Sequence, residues 1–286
     1  MASRELKQLV VAGLTLDIYH DAANTSSEVV VLFLLHGRNG SMKKVKWIAE
    51  SLLDQIAEKR ERASNGIPSL VIVAFDQRNH GSRVVDSLAN SSWKKNNERH
   101  AIDMYSIFVG TSRDVSFLID FLPSYLYPSK EKTVSQWLIA GISLGGHSTW
   151  ISLRTEPRIR LGIPVIGGAN YLGLMRPRAA SSRVAFKPPY IPDALVDIVK
   201  ATDPIYTRYQ DDSASTNPFF GKKILALSGA DDKLVPFAPM EAFFNELNVG
   251  PEGKKKVIIA LGVGHECTPD MVREMADFIW EESLTL

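Results

Sequence analysis

The pentapeptide Gly141-Ile142-Ser143-Leu144-Gly145 sets a serine between two glycines, the spacing of a sharp turn that lifts a hydroxyl clear of the backbone. A serine hydroxyl is a poor nucleophile until an imidazole takes its proton, and the imidazole needs a carboxylate to fix its tautomer and balance its charge. Both occur further along the chain. Ser228-Gly229-Ala230-Asp231-Asp232 offers two acids and Gly264-His265 the imidazole. Either aspartate could serve. Upstream, His36-Gly37-Arg38-Asn39-Gly40 closes an apolar run. A glycine there lets the backbone turn so that the Arg38 amide, together with that of Leu144, can face a developing oxyanion. His36 reads as a prop for this loop. Its glycine spacing matches neither G-x-G-x-x-G nor a P-loop, which argues against a phosphate cradle.

Such chemistry needs its groups at one edge of a rigid frame, and the surrounding pattern supplies one. Two runs, 6–11 and 14–19, flank Gly13 and read as an opening hairpin. Runs rich in Val, Ile and Leu follow at 29–35, 70–75, 134–140, 161–166, 224–227 and 257–261, and read as buried strands. Helical spacing alternates with them. In the first helix, Val45, Ile48, Ala49, Leu52 and Ile56 recur at three- and four-residue steps, and similar patterns lie at 115–122, 144–153, 240–247 and 271–280. This alternation predicts an α/β fold, a mostly parallel eight-stranded sheet with helices on both faces. Ser143 then sits between strand and helix, and the acid and imidazole candidates each follow a strand.

Two stretches break the rhythm. Residues 83–110 are polar around Lys94-Lys95-Asn96-Asn97-Glu98 and predict a long surface excursion. Residues 168–221 contain Arg176-Pro177-Arg178 and Lys187-Pro188-Pro189, which read as turns, and a weak helix at 194–200. This is expected to be a lid inserted after the sixth strand. Its Tyr171, Leu172, Leu174, Met175, Phe186, Tyr190 and Ile191 suit either an acyl pocket or packing of the lid onto the body. Its Arg176, Arg178, Arg183 and Lys187 suit either solvent or an anionic carrier such as a phosphopantetheine arm or an acidic protein. Trp137 and Trp150 read as core.

Lys and Arg number 33 against 32 Asp and Glu, so no global field draws the chain onto nucleic acid or acidic lipid. The longest apolar run is far short of the ~20 residues that span a bilayer. The single cysteine, Cys267, can form no internal disulfide and cannot build a cysteine zinc site. The start carries Arg4, Glu5 and Lys7 ahead of any apolar run, and Ser283-Leu284-Thr285-Leu286 matches no lipidation or peroxisomal address. A cytoplasmic setting is expected, with no metal and no organic cofactor.

These motifs, with Asp76-Gln77-Arg78-Asn79-His80-Gly81 and Gly229-x-x-Asp232-x-x-Val235-Pro236, resemble the α/β-hydrolase family over nearly the whole 286 residues. The resemblance implies one catalytic domain, 1–286, with 168–221 as its lid. It selects Asp232 over Asp231 and makes Asp76 and Arg78 structural. The chain looks similar to the small branch near dienelactone hydrolases and prolyl-oligopeptidase catalytic domains. It departs from the former in carrying Ser143 instead of a cysteine, and from the latter in having no room for a propeller. The expected activity is hydrolysis of a carboxylic ester or acyl thioester through an acyl-enzyme on Ser143, with His265 and Asp232 as partners. The resemblance to small fungal hydrolases suggests a thiohydrolase that releases an acyl or polyketide chain from the carrier domain of a synthase. The alternative is a non-catalytic member of the fold that binds a ligand or partner.

Overall fold

The computed structural model describes residues 4–21, 26–63 and 66–285; Leu286, which ends the C-terminal tetrapeptide considered above, lies outside the described residues. Eight strands form one sheet: β1 (Arg4–Val11), β2 (Leu14–Asp21), β3 (Glu28–Leu35), β4 (Ser69–Phe75), β5 (Thr133–Ile142), β6 (Ile159–Val165), β7 (Lys223–Gly229) and β8 (Lys254–Ala260). Their order is β1-β2-β4-β3-β5-β6-β7-β8. The β1/β2 and β2/β4 pairs are antiparallel and every later pair is parallel. Ala12 and Gly13 both take positive φ between β1 and β2, which suits the twist of a two-residue hairpin turn.

Strand β3 shows how the sequence builds two faces. Val29 to Leu35 are all fully buried. Side chains alternate across a strand, so Val30, Leu32 and Leu34 join the cluster holding α1 (Lys46–Glu61) and α7 (Pro269–Ile279). Val29, Val31, Phe33 and Leu35 meet the opposite face, where α2 (His100–Leu126), α3 (Leu144–Thr155) and α6 (Ala238–Glu246) lie. Trp150 of α3 is fully buried there against Phe219, Phe243 and Phe244. Trp137 of β5 is only half-buried, stacked on Phe33 at 5.7 Å.

Three expectations change. The segment 83–110 is not all surface: from His100 it is the front of α2, and Met104, Tyr105 and Phe108 are buried at helical spacing. Arg176-Pro177-Arg178 is no turn but the middle of α4 (Tyr171–Ser181), followed by α5 (Asp193–Thr202). The eighth strand is not buried. It is the sheet edge, half-exposed along its length, and Leu261 just beyond it is 89% exposed. Lys254, Lys255 and Lys256 occupy that edge, where charged side chains discourage pairing with a foreign strand.

A third apolar cluster joins the front of α2 to α4 and α5. Polar ties fix it. The Tyr171 hydroxyl donates to the Ala101 carbonyl (2.6 Å), Tyr105 and Thr202 hydroxyls lie 2.9 Å apart, and the Tyr171 amide donates to Asp203 Oδ2 (2.6 Å). Of the seven aromatic and aliphatic groups of 168–221 named above, Tyr171, Leu174, Met175 and Ile191 are buried in this packing, with Leu195 and Val199 of α5 beside them. Among the described residues, no helix is long and apolar enough to cross a membrane.

Candidate active site

The chain leaves β3 toward β4 and leaves β5 toward β6, on opposite sides of the adjacent β3/β5 pair, so the two connections diverge at the carboxyl ends of those strands. That is the position at which open α/β sheets bind ligands. Register aligns the strand ends there: Leu35 is opposite Gly141, Ile142 opposite Val165, Val165 opposite Leu227 and Gly229 opposite Ala260. Loops bearing Arg38, Ser143, Asp232 and His265 therefore all emerge at one edge.

Ser143 takes φ 55° and ψ −107°, a conformation costly for a residue with a side chain, on the order of 1–3 kcal/mol. Its surroundings enforce it. A Cβ on Gly141 would lie 2.2 Å from the Gly145 carbonyl oxygen, and one on Gly145 would lie 2.6 Å from that of Leu35. Both glycines are therefore demanded by close backbone approach. The Ser143 amide donates to Val165 O (2.9 Å) and the Gly145 amide to His36 O (3.1 Å), tying the turn to both neighbouring strands.

The Ser143 Oγ lies 2.8 Å from His265 Nε2, and His265 Nδ1 lies 2.7 Å from Asp232 Oδ2. An ionised carboxylate only accepts, so Nδ1 carries the proton and Nε2 presents a lone pair to the serine hydroxyl. The Asp232 side chain is fully buried. Its other oxygen, Oδ1, accepts from the Leu234 and Val235 amides at 2.8 and 2.9 Å. Asp231 is exposed, and its amide donates to Val263 O at 2.9 Å, joining the acid loop to the histidine loop. Gly229 makes room for that junction, since a Cβ there would lie 2.3 Å from the carbonyl oxygens of Val263 and Gly264.

The Leu144 amide opens α3 and so has no partner within the helix, and the Arg38 amide meets no acceptor among the described residues. Gly37 is not the residue that turns its loop. The left-handed position is Asn39 (φ 60°), inside a turn closed by the Gly40 amide on Gly37 O at 3.0 Å. His36 Nδ1 lies 2.8 Å from Gly37 O, and His36 Nε2 accepts from the Gln77 amide at 3.0 Å, while Gln77 Nε2 donates to His36 O. Burial pushes His36 down to about 4, which keeps it a neutral prop. Asp76 and Arg78 are equally structural. Asp76 accepts from the Met42 amide (2.8 Å) and from the Ser82 amide (2.7 Å) and hydroxyl (2.8 Å). Burial opposes its ionisation, but these donors outweigh it and hold the carboxyl below its usual range. Arg78 forks onto Asp114 of α2, crossing the helix where a Cβ on Gly110 would lie 2.5 Å from its Cδ.

Two residues at the site carry no motif. His147, one turn into α3, stacks on Phe108 at 4.6 Å and is pushed by burial down to about 3. Arg178 reaches from α4 to donate to Leu234 O at 2.7 Å. His147 was not singled out from the sequence, although its four-residue step from Ser143 puts it on the same helix face; Arg178 was, as one of the four basic residues of 168–221.

No protein-family model matches the sequence, and no curated protein matches it. Solved structures do. TT1662 from Thermus thermophilus superposes with TM-score 0.70 at 22% identity, covering 99% of each chain. The Pyrococcus furiosus esterase Pf2001 gives TM-score 0.55 at 16% identity, covering 98% of this chain and 93% of its own. Alpha/beta hydrolase domain-containing protein 10 from mouse gives 0.58 at 14%, covering 97% of both. The sheet order, the strained serine at the β5-to-α3 turn and these superpositions together establish that the chain has the α/β-hydrolase fold.

Proposed function

We propose that the chain is a serine hydrolase acting on carboxylic esters or acyl thioesters. One observation carries this reading: the unbroken Ser143 Oγ, His265 Nε2, His265 Nδ1, Asp232 Oδ2 chain, with links of 2.8 and 2.7 Å, at a backbone turn strained to present the serine. Ser143 Oγ attacks the carbonyl carbon as its proton passes to His265 Nε2. The amides of Arg38 and Leu144 hold the oxyanion. The carbon–oxygen or carbon–sulfur bond then breaks, His265 returns the proton to the leaving alcohol or thiol, and water releases the acid by the same route. Residues 168–221 act as a lid. The esterase and hydrolase names among the structural neighbours agree with this reaction class. Within that class, the lid's basic residues suit a thiohydrolase that takes its acyl group from a carrier domain.

A fluorophosphonate probe should label Ser143 in the native chain and leave Ser143→Ala unlabelled. Absence of labelling, beside a control hydrolase that does react, overturns the reading and leaves a non-catalytic binding protein.

A further inference from the structure

Arg38 sits on the loop after β3, where a Cβ on the preceding Gly37 would lie 3.6 Å from that of Ser143, and Arg178 sits on α4. Neither makes an ion pair among the described residues. Arg38 Nη1 has only Met104 Sδ at 3.9 Å. Arg178 holds the Leu234 carbonyl through Nη2 and Met175 Sδ (4.0 Å) through Nη1, and its buried Nε has no acceptor. Leu234 lies in the Asp232 loop, and its amide binds the Asp232 carboxylate. The charge of Arg178 is felt at His147 in the serine's own helix, and both arginines act on His100 at the start of α2, whose buried Nδ1 also lacks a partner. The two guanidiniums thus feel each other's charge, Arg178 is tied to the loop that carries Asp232, and Asp232, the carboxylate that Arg178 feels, is already committed to His265. Burial lowers Arg178, with Arg38 adding to the effect, but only to about 10, so it stays cationic at neutral pH. A half-buried guanidinium with no carboxylate paired to it is a ready fork for an incoming anion.

We propose that Arg38 and Arg178 form an anion subsite beside Ser143, and that the ester or thioester cleaved there carries a carboxylate or phosphate. This rests on the hydrolase reading above. The two sources separate with matched pairs: p-nitrophenyl butyrate against mono-p-nitrophenyl glutarate for the carboxylate, and S-acetylpantetheine against S-acetyl-4′-phosphopantetheine for the phosphate. Native protein should favour the charged member of one pair by about 10- to 100-fold in kcat/KM, the range of a charge-assisted hydrogen bond. That ratio should fall toward one in Arg178→Met and Arg38→Met, and be partly kept in Arg178→Lys. Equal rates within both pairs, or a ratio unchanged by Arg178→Met, overturns the subsite and leaves Arg178 a strut between α4 and the acid loop. A second readout needs no turnover. Glutarate or inorganic phosphate should raise the Tm of Ser143→Ala, but not once Arg178→Met is added. Fluorophosphonate labelling of native protein without that Tm shift sinks the subsite alone; the shift without labelling sinks the hydrolase reading alone.

Discussion

Asp231 and Asp232 are neighbours in the chain and opposites in chemistry. Asp232 is sealed from water, bonded to His265 and satisfied by two amides, whereas Asp231 uses its backbone to join two loops and leaves its side chain exposed. Asp232→Asn keeps the shape but can no longer hold the imidazole in the right tautomer, so kcat should fall by about 10³ to 10⁴. Asp231→Asn should stay within about twofold, as surface changes do. Steady-state kinetics on both variants, at matched Tm, decides; the reverse ranking would reassign the acid. Ser143 and the two aspartates were legible because glycines that backbone contact demands, Gly141, Gly145 and Gly229, stand close by, and His265 because it follows the last strand in the order serine, acid, imidazole. Arg178 stood out only as one of four basic residues of 168–221; its meeting with Leu234 spans 56 residues and leaves no local pattern that separates it from the other three.

At the level of elements, all eight strands and most helices could be read from periodicity. The misses have physical causes. The polar tract before His100 masked the Met104, Tyr105, Phe108 spacing, and Pro177 suggested a break where helix α4 tolerates a lost donor. The eighth strand's apolar composition hid its edge position, because composition does not say how many neighbours a strand has. Asp203 at the foot of α5 offers a test of this layer. Burial pushes its carboxyl up to about 7, although it accepts from the Tyr171 amide that opens α4. Between about pH 4, the unfolded value, and about pH 7, the unfolded chain releases a proton that the folded chain keeps. Stability therefore falls as pH rises through that window. Asp203→Asn retains the acceptor without the charge. It should be more stable than native protein at pH 8, by on the order of 3 kcal/mol, with the gap closing by pH 4. Thermal melts at the two pH values check this, and an offset that does not vary with pH would rule out the titration.

Across the whole molecule, the candidate catalytic groups depend on strands of unequal security. Ser143 leaves the middle of the sheet, while His265 follows β8, which pairs with β7 alone. Edge elements open at lower free energy than central ones. Fluorophosphonate labelling should therefore fade at a lower urea concentration than the far-ultraviolet circular dichroism signal; coincident curves would mean that β8 opens only with the whole sheet. The pairing of Val165 with Leu227 has a different consequence. It closes the sheet beneath residues 168–221, so that α4 and α5 leave and re-enter at adjacent strands, between the nucleophile and its two partners in the chain. The entropic cost of such a detour grows only slowly with its length. A lineage could lengthen, shorten or exchange it, repacking the front of α2, while Ser143, Asp232 and His265 keep their places. On the proposed hydrolase reading, the triad and the Arg178 half of the anion subsite are thus inherited on separate pieces of chain, free to change at different rates.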